Sequence, residues 1–222
     1  MLSEPSFRYS AAAEDGGGGK ATKKRSSKRG GSDKRERILR SAIRVFARKG
    51  FYSTRVSEIA KAAGVADGTI YLYFKNKDDV LVSIFQDRIS KLLELLAEEV
   101  PKAEGTEAKL RVIVDVQLGV LEGSRDLAEV ITVNLRQSSK LLRQYGAPMF
   151  GKYLEVIARV IAQGQKDGEV RSELNARVLA RALWGSLDAL ALGWALGGGD
   201  EEQLKQAANE VVDTLWEGAR AR

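Results

Sequence analysis

Apolar positions recur at helical spacing through most of the chain. In 34–49 the positions Ile38, Leu39, Ala42, Val45 and Phe46 form one stripe, and Arg37, Arg40, Arg44 and Arg48 fall on the opposite face. That spacing predicts an amphipathic helix, capped by Ser32 or Asp33 and ended by Gly50. A second helix is expected over 55–63, with Val56, Ile59, Ala60 and Ala63 inward and a stop at Gly64. A third, over 67–73, is barely two turns long and has only Ile70 and Phe74 to bury. A long fourth helix should run from about Asn76 to Val100, before Pro101, with Asp78 and Asp79 in the first turn where the helix dipole favours them. Further helices are expected near 106–122, 125–143, 147–167, 175–196 and 200–219. No stretch alternates as a strand would, so the fold class expected is all-α.

Composition narrows the chemistry. The 222 residues include no cysteine and no histidine, which removes thiol metal sites, disulfides and the commonest general base. No catalytic residue and no metal site is expected, and an enzyme built on the helical bundle has little to work with. The most apolar stretch, "VLARALWGSLDALALGWALGGG", carries Arg181 and Asp188 and is too polar to span a membrane. The N-terminus has no apolar signal segment. A cytoplasmic protein without cofactor is therefore expected.

Charge is distributed unevenly. The first 77 residues hold 18 Lys and Arg against 7 Asp and Glu, whereas the rest hold 18 against 23. A basic end on an acidic body points to a polyanion gripped at one end. Residues 1–33, with "GGGG" and "KATKKRSSKRGGS", lack apolar surface and are expected to be disordered. They serve either as a solubilising tail or as a source of phosphate or minor-groove contacts. Residues 34–80 form one expected domain, the basic one, and 81–222 a second.

Two short helices joined through "AAGV" fit a helix-turn-helix, whose second helix lies in the major groove. Ala66, Asp67 and Gly68 would let the backbone approach DNA closely. Thr69 can reach a base edge, a thymine methyl or a phosphate. Tyr71, Leu72 and Tyr73 project from the side that Ile70 and Phe74 leave free, and tyrosine hydroxyls are good phosphate donors. Lys77 sits beside the free N–H groups at the start of the fourth helix, an arrangement expected to clamp a phosphate.

Over its full length "RILRSAIRVFARKGFYSTRVSEIAKAAGVADGTIYLYFKNKDDVLVSIF" resembles the DNA-binding domain of TetR-family transcriptional repressors. "AGVADGTIYLYFKNKDDVL" is especially similar to the branch that regulates fatty-acid degradation. "LRQSSKLLRQ", "QGQKDGEV" and "ALWGSLDALALGWAL" extend that similarity to residue 196. The resemblance implies a homodimer through the last two helices, a near-palindromic double-stranded operator, and DNA contacts from Thr69, Tyr71, Tyr73 and Lys77. It also implies a small hydrophobic effector enclosed by the middle helices, a long-chain acyl-CoA in this branch. Arg55 departs from the family, which often places a capping Thr or Ser there. Thr54 is expected to cap instead, with Arg55 reaching phosphate by its longer arm.

The ligand half is less legible. "VIVDVQLGVL" and "VITVNL" are apolar over wide arcs, as a generous core or a cavity would be. Asn134, Arg136, Gln137 and Asp188 need partners if buried. Either Arg136 pairs with Asp188, or Arg136 and Gln137 receive the polar part of a ligand at a tunnel mouth. Arg136, Lys140 and Arg143 share a helix face, which suits either CoA phosphates or solvent. Trp184 and Trp194 are read first as core or dimer anchors, with Trp184 also a candidate ligand contact. The expected function is a repressor of fatty-acid metabolism genes released by long-chain acyl-CoA. The alternatives are a repressor of an efflux or other catabolic operon with a different hydrophobic inducer, and a non-specific DNA binder.

Overall fold

The computed structural model describes residues 22–221 other than 122 and 138. Residues 1–35 and 36–222 separate as two units. The first helix, α1 (Thr22–Lys49), begins well before the expected start at 34. Residues 22–33, expected as part of the basic arm, fall within this helix. Residues 1–21 lie outside the described residues.

Within 36–222 the buried positions of α1 are the expected stripe plus Ile43 and the polar Ser41. α2 (Val56–Ala63) ends at Gly64, whose φ of 64° is the left-handed conformation that glycine adopts without a Cβ clash. The Val65 N–H reaches the Ala60 carbonyl at 3.0 Å and the Gly64 N–H reaches that of Lys61 at 3.2 Å, a Schellman stop. α3 (Asp67–Tyr71) is five residues long, shorter than expected, and buries Ile70. α4 (Lys77–Glu99) starts at Asn76, whose side-chain oxygen accepts the Asp79 N–H at 2.8 Å. Val80 to Phe85 are all buried, so this end is enclosed on every side; farther along, burial narrows to Ile89, Leu92 and Leu96.

α5 (Thr106–Gly119) and α6 (Arg125–Glu129) come next. The expected single helix over 125–143 is broken. A π-turn occupies Val130–Asn134, short α-helical pieces cover Leu135–Gln137 and Ser139–Leu141, and a second π-turn spans Leu142–Gly146. α7 (Ala147–Lys166), α8 (Ala176–Ala195) and α9 (Glu201–Ala219) complete the bundle. α8 packs on α6, α7 and α9; α5 packs on α4, α7 and α9. Where α5 meets α7 the Thr106 side chain lies against the backbone of Gly164: a Cβ there would sit 2.1 Å from Thr106 Oγ1. Among the described residues the only β-type pairing is an isolated bridge between Val170 and Arg220.

Candidate DNA-binding face and ligand cavity

The basic end presents α3 with unusual side chains outward. Leu72 is 80% exposed and Tyr71 58%, although both are large and partly apolar. Gly68 is exposed, Thr69 and Tyr73 are half-buried, and Arg55 is exposed. A Cβ on Gly68 would meet nothing within 4 Å, so nothing inside the protein requires glycine there. A surface of this kind suits close contact with a partner rather than packing within the chain.

One expected contact points inward. Thr54 is only 2% exposed, and its hydroxyl donates to the Gly50 carbonyl at 2.8 Å. It neither caps α2 nor faces outward. Arg55 holds the N-cap position, where its guanidinium has no acceptor to offer; instead Glu58 reaches back to the Arg55 N–H at 2.9 Å. The Glu58 carboxyl is held below its ordinary range by Lys49 and by that N–H.

Lys77 is also turned inward. Its ammonium donates to the carbonyls of Phe51 at 2.7 Å, Thr54 at 2.8 Å and Tyr52 at 3.1 Å, and lies 4.6 Å from the centre of the Phe51 ring. Three N–H donors meet three acceptors, so in this arrangement Lys77 ties the 51–54 turn to the start of α4 and is not a free phosphate donor. The sequence places Lys77 next to the α4 N-terminus but gives no sign that a turn some 25 positions earlier would fill its coordination.

The bundle holds an apolar cavity of about 70 Å³. α4 lines it with Phe85, Arg88, Ile89 and Leu92; the first π-turn adds Ile131 and Thr132. Phe150 and Tyr153 of α7 and Trp184, Asp188 and Ala191 of α8 close it. Phe150 bridges the aromatic wall, its ring centre 5.0 Å from Phe85 and 5.2 Å from Trp184. Tyr153 is fully buried; burial pushes its hydroxyl pKa up, and the neutral hydroxyl donates to Gln117. A much smaller gap of about 20 Å³ between α5, α8 and α9 is a packing void.

Of the expected ligand residues, Trp184 and Asp188 line this cavity. Arg136 touches both: its guanidinium is 2.6 Å from Asp188 Oδ1 and 6.0 Å from the Trp184 ring. Lys140 and Arg143 are exposed and do not line it. Asn134, expected among the ligand contacts, is 1% exposed, and its Oδ1 accepts the Phe51 N–H at 2.8 Å. Gln137 offers its backbone carbonyl to the Tyr52 hydroxyl at 3.0 Å and is absent from the cavity wall. Residues not foreseen are Phe85, Ile89 and Leu92, whose i, i+4, i+7 spacing on α4 is a legible signal, and Phe150 and Tyr153, whose spacing is as expected for ordinary core.

Among the described residues, no group of three or more Asp or Glu is placed to hold a metal ion, and no helix is long and apolar enough to cross a membrane.

Comparison with known proteins accounts for both halves. Residues 38–84 match the model of bacterial regulatory proteins of the tetR family, and residues 85–218 match that of the YsiA-like protein C-terminal region. The fatty acid metabolism regulator protein of Bacillus subtilis is 33% identical over 82% of this chain and 93% of its own length. The fatty acid degradation regulator FadR from Bacillus halodurans superposes with a TM-score of 0.77 at 34% identity, over 85% of this chain and 97% of that one. FadR from Bacillus subtilis, solved in complex with stearoyl-CoA, gives a TM-score of 0.74 at 33% identity over 82% and 98%. An uncharacterized regulator of Bacillus subtilis, YdgC, is 30% identical over 83% of this chain and 92% of its length. The chain belongs to the TetR family of bacterial transcriptional regulators, DNA-binding proteins that act as dimers on operators and are not enzymes.

Proposed function

We propose that this regulator represses genes of fatty-acid metabolism and leaves its operator when it binds a long-chain acyl-CoA. The observation that carries the reading is the cavity between α4, the first π-turn, α7 and α8, whose wall is almost wholly apolar and includes Arg88 and Asp188. An acyl chain suits the hydrocarbon wall, at about 0.8 kcal/mol per buried methylene. Arg88 in the wall and Arg136 beside it supply cations for the phosphates of CoA. Lys140 and Arg143 take part only if the head group extends along the 136–143 surface. The likeness to FadR, one example of which was solved with stearoyl-CoA, supports the same ligand class.

On the DNA side, Arg55, Gly68, Thr69, Tyr71, Leu72 and Tyr73 are the contacts, with Lys77 holding the turn beside them. The partner surface is formed by α8 and α9; Val178 of α8 and Leu196 just after its end are 63% and 69% exposed despite being apolar. A dimer there would set two recognition helices roughly 34 Å apart on a near-palindromic duplex. Such a regulator works in the cytoplasm, where the DNA is.

A thermal-shift titration with palmitoyl-CoA, palmitate and CoA tests the ligand. The thioester alone should raise stability strongly, by about 2.7 kcal/mol at a hundredfold excess over Kd. No shift with the thioester, but one with a drug-like hydrophobe, would favour the second reading, an efflux or other catabolic repressor. The apolar wall is compatible with that reading too.

A further inference from the structure

The first π-turn, Val130–Asn134, belongs to two sites at once. Ile131 and Thr132 are part of the cavity wall, and Asn134, two positions on, is spent on the DNA-binding domain. The Asn134 side chain accepts the N–H of Phe51 at 2.8 Å, while the carbonyl of the same Phe51 accepts from Lys77 at 2.7 Å. The next residue along, Tyr52, donates its hydroxyl to the Gln137 carbonyl at 3.0 Å. The 51–54 turn leads directly into α2, and Lys77 opens α4 a few residues after α3. α2 and α3 are thus bracketed by the 51–54 turn and by Lys77, which are joined through the Phe51 carbonyl.

We propose that the π-turn is the element through which filling of the cavity reaches the DNA-binding face, and that the Asn134–Phe51 hydrogen bond, with Tyr52–Gln137 beside it, is the strap that transmits it. This rests on the acyl-CoA reading above and adds its route. A cavity of about 70 Å³ is well below the roughly 300–1,000 Å³ of ligand sites, so a long chain enters only if the wall moves. Most of the wall is α-helix; Val120 and Leu121 follow the end of α5, and Ile131 and Thr132 sit on the π-turn. A π-turn carries one residue more than the α-helix around it, and expelling that residue restores α geometry. Each residue of register rotates the downstream helix by about 100° on its axis. Wall displacement at Ile131 and Thr132 therefore has a discrete outcome at Asn134: its oxygen leaves the Phe51 N–H. Coupling requires such an element with two arrangements that both sites bias.

Asn134 and Tyr52 are positioning residues under this account, since neither touches ligand or needs to touch DNA. The measurement is the ratio of operator Kd at saturating palmitoyl-CoA to operator Kd without it, using a duplex selected from random sequence by the wild-type protein. Asn134→Ala removes the acceptor and Tyr52→Phe removes only an exposed hydroxyl, so the second variant folds even if the first does not. The ratio should fall at least threefold in Tyr52→Phe and at least tenfold in Asn134→Ala, while the Kd for palmitoyl-CoA in the absence of DNA stays within about threefold of wild type. By reciprocity, operator should weaken palmitoyl-CoA binding less in the variants by the same factors. A wild-type ratio retained in both variants overturns the strap and leaves the acyl-CoA reading intact. A wild-type protein whose operator affinity ignores palmitoyl-CoA overturns the reading and the strap with it.

Discussion

Arg136 and Asp188 form an ion pair 2.6 Å long across the edge of the apolar cavity, and its two members are unequally buried: the aspartate side chain is 16% exposed, the arginine 35%. Removing one partner therefore differs from removing the other. Without Asp188, Arg136 can turn to water; without Arg136, a mostly buried carboxylate is left uncompensated. Arg136→Met should cost about 1–3 kcal/mol in urea denaturation and Asp188→Asn less than about 1 kcal/mol. Equal costs would mean that the pair behaves as a solvated surface bridge.

Tyr71 and Lys77 should separate DNA contact from DNA-domain integrity. Tyr71 is exposed, so Tyr71→Ala should leave stability within about 0.5 kcal/mol and still abolish operator binding. Lys77→Met leaves the carbonyls of Phe51, Tyr52 and Thr54 without their donor and should lower stability by about 1–3 kcal/mol as well as weakening DNA binding. Paired melting and anisotropy measurements decide between them. A Lys77→Met protein as stable as wild type would return the lysine to a phosphate contact.

The contact between α5 and α7 needs glycine at 164. Gly164→Ala forces its Cβ into Thr106, and since the clash is with a side chain anchored at a helix start, relief requires the helices to part; the expected loss is about 1–3 kcal/mol. Gly151→Ala, in the same helix and with nothing within 4 Å of its Cβ, should instead gain up to about 1 kcal/mol. Denaturation midpoints moving in the same direction would contradict this packing.

Glu169 gives the acid limb a defined sign. Its carboxylate accepts from the Thr106 hydroxyl and from the Thr106 N–H, the latter at 2.6 Å, and these bonds hold its pKa below the ordinary 4.5. A depressed folded-state pKa contributes stability above the unfolded value that is lost as pH falls through the folded one. Stability should therefore drop below about pH 4.5 less steeply in Glu169→Gln than in wild type. Identical slopes between pH 5 and 3, in stability measured against pH, would remove Glu169 from the account.

How far the chain alone was legible depends on the range of the interactions involved. Gly64, the Asn76 cap and the buried Ile70 answer to neighbours within a few residues, and the helix-turn-helix was legible from them. Thr54, Lys77 and Asn134 look in sequence like a cap, a phosphate donor and a ligand contact because their polar groups seem uncommitted. Their partners, Gly50, Phe51 and Tyr52, are fixed only once the 50–54 turn is folded against α4 and the π-turn. The π-turns were hidden for a related reason. "VITVNL" shows wide apolar arcs whichever way it winds, and 3.6-residue periodicity does not distinguish a turn with one residue more. The alternative of an Arg136–Asp188 pair, by contrast, was visible as charge complementarity and is what the structure contains.

The most direct measurement of the central claim is fluorescence anisotropy of a selected operator duplex bound to the full chain, titrated with palmitoyl-CoA and, separately, with CoA and with palmitate. Palmitoyl-CoA should release the duplex, CoA should not, and palmitate should be much weaker because it lacks the phosphates. Moving from 99% bound to 99% released requires about 5.5 kcal/mol of differential affinity between the two states, within the reach of a buried acyl chain. Operator that stays bound at palmitoyl-CoA concentrations saturating the protein, or that is released equally by CoA alone, would contradict it.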